Sequence, residues 1–173
     1  GTLQIGDGTA NTALASGTVT NNAQLVINRD ASTVEAVTGI ATIQSQAFDG
    51  TGDMTIVQSG GIRFMNSVAQ DQVIIQDTGE GRTIEFGSET MIATGLTVNA
   101  GTAAYNVDLN GFHSRIGGQT VFNNRGRVQI GDNAGDRISF VGGVLANAAP
   151  TSLSIAGLIA AEGASVIDLS AAK

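Results

Sequence analysis

Cysteine and tryptophan are absent from the 173-residue sequence, and lysine and proline occur once each, as Lys173 and Pro150. Without cysteine the chain cannot form disulfides, thiolate zinc sites, iron–sulfur clusters or a cysteine nucleophile. A single proline, with 24 glycines that follow no three-residue period, excludes a collagen triple helix. No run approaches the roughly 18 apolar residues of a membrane helix, and we expect any signal peptide or anchor to lie outside these residues.

Charge is also scarce, at 13% of residues, and the formal net charge is −7. The eight basic residues are scattered along the sequence, which disfavours nucleic acid and anionic membrane surfaces as partners. Disordered chains combine high charge with low hydrophobicity, whereas 42% of this chain is hydrophobic. Its length and composition therefore predict one folded domain with a buried core.

What remains is a series of short alternating segments separated by turns rich in glycine and asparagine. Thr83-Ile84-Glu85-Phe86 is typical, with one side apolar and the other polar. Strands are also predicted at residues 32–37 and 40–44. The best helix candidate, residues 155–164, contains Gly157 and Gly163, each of which costs a helix about 1 kcal/mol. Strands at this spacing fit either a β-sandwich or a β-solenoid.

Recurring phrases favour the solenoid. Leu3-Gln4-Ile5-Gly6-Asp7 returns as residues 128–132 (VQIGD), and the TVTNN of residues 18–22 returns as the TVFNN of residues 120–124. We interpret this phrase as one rung, whose backbone pairs with the rungs above and below and whose Val, Ile and Leu stack inside. The sequence therefore predicts a single all-β β-solenoid domain over residues 1–173, with roughly eight rungs of about 20 residues.

The opening residues also carry a family resemblance. Residues 1–8 (GTLQIGDG) and 14–29 (LASGTVTNNAQLVINR) resemble the passenger-associated repeat of bacterial autotransporters, G-T-L-x-I-G followed by G-x-V-T-N-N-G-x-L-V-x-N-R. The match covers residues 1–35 and, more loosely, residues 120–132, and Ala23 replaces the usual glycine. The resemblance implies a right-handed parallel β-helix displayed or released at the bacterial surface. The repeat also occurs in large bacterial surface proteins, so the chain is expected to be a fragment of one.

A calcium site is the first candidate for chemistry. Residues 131–139 (GDNAGDRIS) partly match the calcium-binding nonapeptide G-G-x-G-x-D-x-U-x. Asp132 and Ala134 replace two of its glycines, and no tandem copy follows to supply oxygen ligands from the adjacent turn. We interpret Asp132 and Asp136 as residues of an acidic turn, and the acidic turn at residues 49–53 in the same way.

Paired carboxylates for glycoside cleavage are the second candidate. The spacing of the five candidate carboxylates selects no pair: Asp71, Asp77, Glu80, Glu85 and Glu89. The tandem-Asp and Gly-His-Gly signatures of pectin-degrading β-helix hydrolases are missing, and so is the basic cluster of polysaccharide lyases. These carboxylates are therefore interpreted as solvated turn charges.

The remaining candidates have structural interpretations. His113, the only histidine, has no second histidine or neighbouring aspartate and is predicted to be a loop residue. Ser59-Gly60-Gly61 lacks the lysine and the helix that a phosphate loop needs. Tyr105, Phe112 and Phe122 are expected to cap or stack inside the β-helix.

No catalytic, cofactor-binding or metal-binding residue is predicted, and the chain is not expected to be an enzyme. The leading hypothesis is a structural β-solenoid segment of a secreted or surface-displayed bacterial protein, for adhesion or as a scaffold. Its expected partners are neighbouring β-helix segments, copies of itself, or host or matrix glycans, and not nucleic acid or membrane. One rival is a self-assembling extracellular fibre or sheath subunit, since neither end shows a charged or proline cap. The other is a polysaccharide-degrading enzyme.

Overall fold

A computed structural model describes residues 1–9, 17–32, 46–147 and 149–171. Within them the secondary structure is eighteen strands with no helix. The strands predicted at 32–37 and 40–44 lie outside the described residues, apart from Ser32. The strands are β1 (Thr2–Ile5), β2 (Gly17–Thr20), β3 (Gln24–Asn28), β4 (Gln46–Asp49), β5 (Asp53–Gln58), β6 (Ile62–Phe64), β7 (Val68–Ile75), β8 (Thr83–Phe86), β9 (Thr90–Val98), β10 (Asn106–Leu109), β11 (Ser114–Ile116), β12 (Thr120–Phe122), β13 (Arg127–Ile130), β14 (Arg137–Phe140), β15 (Val144–Ala146), β16 (Ser152–Ile155), β17 (Leu158–Ala161) and β18 (Ile167–Asp168).

The strands form three parallel stacks. The first stack contains β1, β3, β5, β12, β15 and β18, the second contains β2, β4, β11, β14 and β17, and the third contains β6, β8, β10, β13 and β16. The long strands β7 and β9 bend from the second stack into the first, with a register shift between Gln70 and Gln72. From β6 onward the chain visits the third, second and first stacks in that order, so the strands inside each stack pair with strands of the turns before and after them.

This arrangement confirms the predicted all-β, parallel β-solenoid. It has about six turns, fewer than the roughly eight rungs predicted, because most of the turns are longer than about 20 residues. Met54 pairs with Val73, 19 positions on, whereas Leu25 pairs with Met54, 29 positions on.

The repeated phrase is not a rung, contrary to our interpretation. In its first copy it runs from β2 in the second stack to β3 in the first, and in its second copy from β12 in the first stack to β13 in the third. The phrase is therefore a strand–corner–strand unit that serves at two different corners. Its asparagines satisfy the corner backbone: Asn21 donates to the Asp53 carbonyl at 2.9 Å, and Asn124 to the Tyr105 carbonyl at 3.0 Å.

Inward side chains stack in rows along the solenoid. Ile27, Ile56 and Ile75 occupy one register position on three successive turns, and all three are fully buried. Such rows form a continuous core that no single turn could bury alone. Tyr105 and Phe122 lie in this core as expected, but Phe112 does not, because it lies in the corner between β10 and β11 and is 54% exposed.

Candidate functional site

The outer face of the third stack carries a row of charged side chains. Parallel pairing places Arg63 beside Glu85 and Glu85 beside Asp108, one on each of β6, β8 and β10. Arg82 precedes β8, and Arg127 begins β13. These five residues line a depression of about 470 Å³, which we call the charged groove.

Two ion pairs organise the charged groove. Arg63 Nε lies 2.5 Å from Glu85 Oε2, and Arg127 Nη2 donates to Asp108 Oδ2. The arginine side chains are 46% and 44% exposed, whereas those of Glu85 and Asp108 are 16% and 6% exposed. The hydrogen bond with Glu85 raises the pKa of Arg63 further. The guanidinium groups therefore lie over two carboxylates that are close to one another in the sheet.

Asp108 is the unusual member of this row. The residue is only 4% exposed, and its Oδ1 atom is buried without a hydrogen-bond partner. Burial raises the pKa of Asp108; the hydrogen bond and charge of Arg127 lower it, and the charge of Glu85 raises it again, with a net rise. A carboxylate whose pKa is raised by burial and by a second carboxylate is typical of functional sites and also of structural ion-pair networks.

The raised pKa of Asp108 can be tested through the pH dependence of stability. A carboxyl group whose pKa is higher in the folded than in the unfolded chain destabilises the fold as it ionises. We therefore expect the stability of the wild type to fall, relative to Asp108→Asn, as the pH rises through the window just above the ordinary value of 3.8. Thermal unfolding of both proteins at closely spaced pH values measures this difference.

Asp77→Asn is the matched control. Burial raises the pKa of Asp77, but hydrogen bonds from Thr102, Thr78 and Ala103 together lower it below 3.8. Relative to this variant, the wild type should lose stability as the pH falls through the lowered pKa. If the wild type instead gained stability over Asp108→Asn with rising pH, the attraction of Arg127 would outweigh burial and the assignment to Asp108 would be wrong.

A second depression, of about 620 Å³, lies at the corner between the third and second stacks. It brings together Glu85 and Glu89 from the predicted carboxylates with Asp132, Asp136 and His113. Asp77 and Glu80 lie at another corner, where they accept hydrogen bonds from the amides of Thr102 and Ala104. Asp71 lies within β7. The structure thus groups two of the five carboxylates that the sequence could not pair.

The acidic turn of this corner is closed by its own backbone. Asp136 Oδ2 accepts hydrogen bonds from the amides of Asp132 at 2.8 Å and Asn133 at 2.9 Å. Burial, followed by the charge of Asp136, raises the pKa of Asp132. Across the described ranges, no three His, Cys, Asp or Glu side chains are placed to hold a metal ion together. Asp136 is therefore a turn-forming residue in this fold.

His113 is a loop residue, as predicted, and its backbone explains why it stands out. Its φ of 62° makes it the only non-glycine with positive φ in the described part of the chain. The centroid of its ring lies 3.9 Å from that of the Phe112 ring, and the two ring planes make an angle of 50°. The pair forms an exposed aromatic surface at the edge of the acidic corner.

Sequence reasoning missed the charged groove. The basic residues are scattered in sequence, but three of the eight converge here in space, as Arg63, Arg82 and Arg127. Asp108 was not among the candidate carboxylates. Aligning the strands IRF, TIEF, NVDL and RVQI on their inward apolar positions would have placed Arg63, Glu85 and Asp108 side by side.

Compared with protein families, curated proteins and solved structures, the chain has no significant match. The described residues also include no helix that is long and apolar enough to cross a membrane. The geometry of the chain itself therefore has to support any functional proposal.

Proposed function

We propose that this chain is a non-catalytic structural segment of a secreted or surface-displayed bacterial protein, which acts in adhesion or as a surface scaffold. The observation that carries the proposal is the cross-linking of successive turns by outward polar side chains. Such side chains join turns that are already paired through their backbones. A rod reinforced in this way suits a protein that holds a binding surface at a distance.

One cross-link spans three turns. Arg115 on β11 donates from Nε and Nη2 to the two carboxylate oxygens of Glu162, both at 3.1 Å, across 47 positions of sequence. Ser139 on β14, between them, donates to the same carboxylate at 2.9 Å. Hydrogen bonds from Arg115 and then Ser139 lower the pKa of Glu162. Two parallel hydrogen bonds from one guanidinium group to one carboxylate fix the relative orientation of the two side chains as well as attracting them.

An asparagine row makes a second link. Asn147 donates to Asn123 Oδ1 at 2.6 Å, and Asn123 donates to the Val98 carbonyl at 3.1 Å. These three residues lie on successive turns, so the two side-chain Nδ2 donors form hydrogen bonds along the solenoid axis. Polar corner residues thus contribute to stacking rather than to a catalytic arrangement.

Electron microscopy of the purified chain, with circular dichroism, tests the scaffold proposal. We expect a β-rich spectrum and short monodisperse rods, about 30 Å along the axis if six turns are spaced like paired strands. Uniform long filaments would instead favour the rival function, a self-assembling fibre or sheath subunit. A mostly helical spectrum would contradict both.

A second candidate function, polysaccharide cleavage, is favoured by the adjacent carboxylates Glu85 and Asp108, which occupy paired positions on β8 and β10. Glycoside hydrolysis uses two such groups, one with a raised pKa. Release of reducing ends from anionic glycans, abolished in Asp108→Asn, would establish this function. Equal release by the wild type and the variant would exclude these carboxylates.

A further inference from the structure

Arg82 differs from the other two arginines of the charged groove. Arg63 and Arg127 are each paired with a carboxylate, whereas Arg82 makes no salt bridge or side-chain hydrogen bond with any residue in the described ranges. Its backbone is held by a turn in which its amide donates to the Gly79 carbonyl at 3.0 Å. A half-buried arginine whose side-chain donors are unused is a suitable partner for an anion.

The shape of the groove leaves room beside this arginine. Gly60, Gly61 and Gly81 form part of its wall, where no side chain projects. A Cβ atom added at Gly81 would meet nothing within 4 Å. A ligand can therefore approach the backbone closely beside Arg82 and Thr83.

The groove also offers acceptors for hydroxyl groups. Asp108 is 4% exposed, and its Oδ1 accepts no hydrogen bond. A buried acceptor without a partner is unfavourable, and Arg127, which pairs with the other carboxylate oxygen of Asp108, has a side chain that is 44% exposed. A hydroxyl donor placed at Oδ1 would supply the missing hydrogen bond. The Thr83 hydroxyl lies on the same wall.

From these features we propose that the charged groove binds a carboxylated saccharide, with the carboxylate on the Arg82 guanidinium and ring hydroxyls on Asp108 and Thr83. An arginine fork matches a carboxylate through two parallel hydrogen bonds. Three guanidinium groups face two carboxylates, so the groove has one positive charge to spare in a chain of net charge −7. One excess positive charge can neutralise a single carboxylate of a ligand whose carboxylates are spaced apart. A densely sulfated polymer would place several negative charges in the groove at once, and Glu85 and Asp108 would repel them.

This inference deepens the proposed adhesion function by naming the class of ligand. Isothermal titration of the full chain with an oligogalacturonate, its fully methyl-esterified form and a sulfated glycan of similar length tests it. We expect the oligogalacturonate alone to bind, with affinity falling as salt is added. Arg82→Gln should weaken binding about 10-fold to 100-fold, the effect of losing charged hydrogen bonds.

Arg137→Gln is the matched control. Arg137 is exposed on β14 in the second stack and, like Arg82, has no salt-bridge partner in the described ranges. Its replacement should leave affinity unchanged. The inference is overturned if the oligogalacturonate does not bind, if the esterified or sulfated form binds equally well, or if both variants weaken binding alike. If the chain forms short rods but binds none of these glycans, the ligand assignment is wrong and the scaffold proposal is unaffected.

Discussion

Phe64→Ala is expected to lower the free energy of unfolding by about 3–5 kcal/mol, the usual cost of emptying a buried phenylalanine site. Phe64 is fully buried on β6. Its ring meets Phe48 edge-on, with centroids 5.6 Å apart, and stacks on Phe86 at 5.1 Å. The substitution removes both aromatic contacts and leaves a cavity between two turns. Because neighbouring turns are held by their own backbone pairing, the cavity cannot collapse without breaking that pairing.

Urea unfolding followed by circular dichroism measures this loss. Met65→Ala is the control, because Met65 follows Phe64 directly and its side chain is 47% exposed. That variant should change stability by no more than about 0.5 kcal/mol, as surface substitutions usually do. Equal effects of the two substitutions would mean that Phe64 is not a core residue, and the stacking of β6 on β8 would then be wrong.

Gly111→Ala is expected to cost about 3 kcal/mol or more, beyond ordinary overpacking. A Cβ atom at this position would lie 1.8 Å from the Ser88 carbonyl oxygen of the preceding turn. No side-chain rotation can relieve the overlap, since both atoms belong to the backbone framework. The corners of two turns would have to separate, which weakens the pairing of β9 with β11.

Gly135→Ala at the same corner is the matched control. There the nearest atom to an added Cβ is in the Phe112 ring at 3.6 Å, an ordinary contact. Thermal unfolding should show a large loss for Gly111→Ala and a change of about 1 kcal/mol or less for Gly135→Ala. A small loss at Gly111 would show that adjacent corners do not approach as closely as the structure places them.

Local patterns predicted much of this fold. Thr83–Phe86 alternates in sequence and forms β8 with Ile84 and Phe86 inside. The glycines of residues 155–164 argued against a helix, and this stretch contains the end of β16 and all of β17. Such features depend on alternation and turn chemistry, which neighbouring residues determine.

Features that depend on register could not be predicted. The distance between paired residues varies from 19 to 30 positions, so counting a fixed period does not place one turn on another. The repeated phrase also gave a wrong prediction of the rung, because its two copies lie at different corners. Arg63 and Arg127 reach the same groove only through the pairings of β6, β8, β10 and β13. The candidate site is therefore a product of stacking, and the sequence shows it only once the strands are aligned.

The parallel stacks also have a mechanical consequence. Strand-to-strand hydrogen bonds run along the solenoid axis, so a pulling force on the two ends of the chain loads one turn's bonds at a time. The rod should open turn by turn, and each step releases the 19 to 30 residues that separate paired positions. Links such as that from Arg115 to Glu162 join non-adjacent turns and add a side-chain contact that must break before the turns between them separate. Extension would thus dissipate energy in several steps rather than in one.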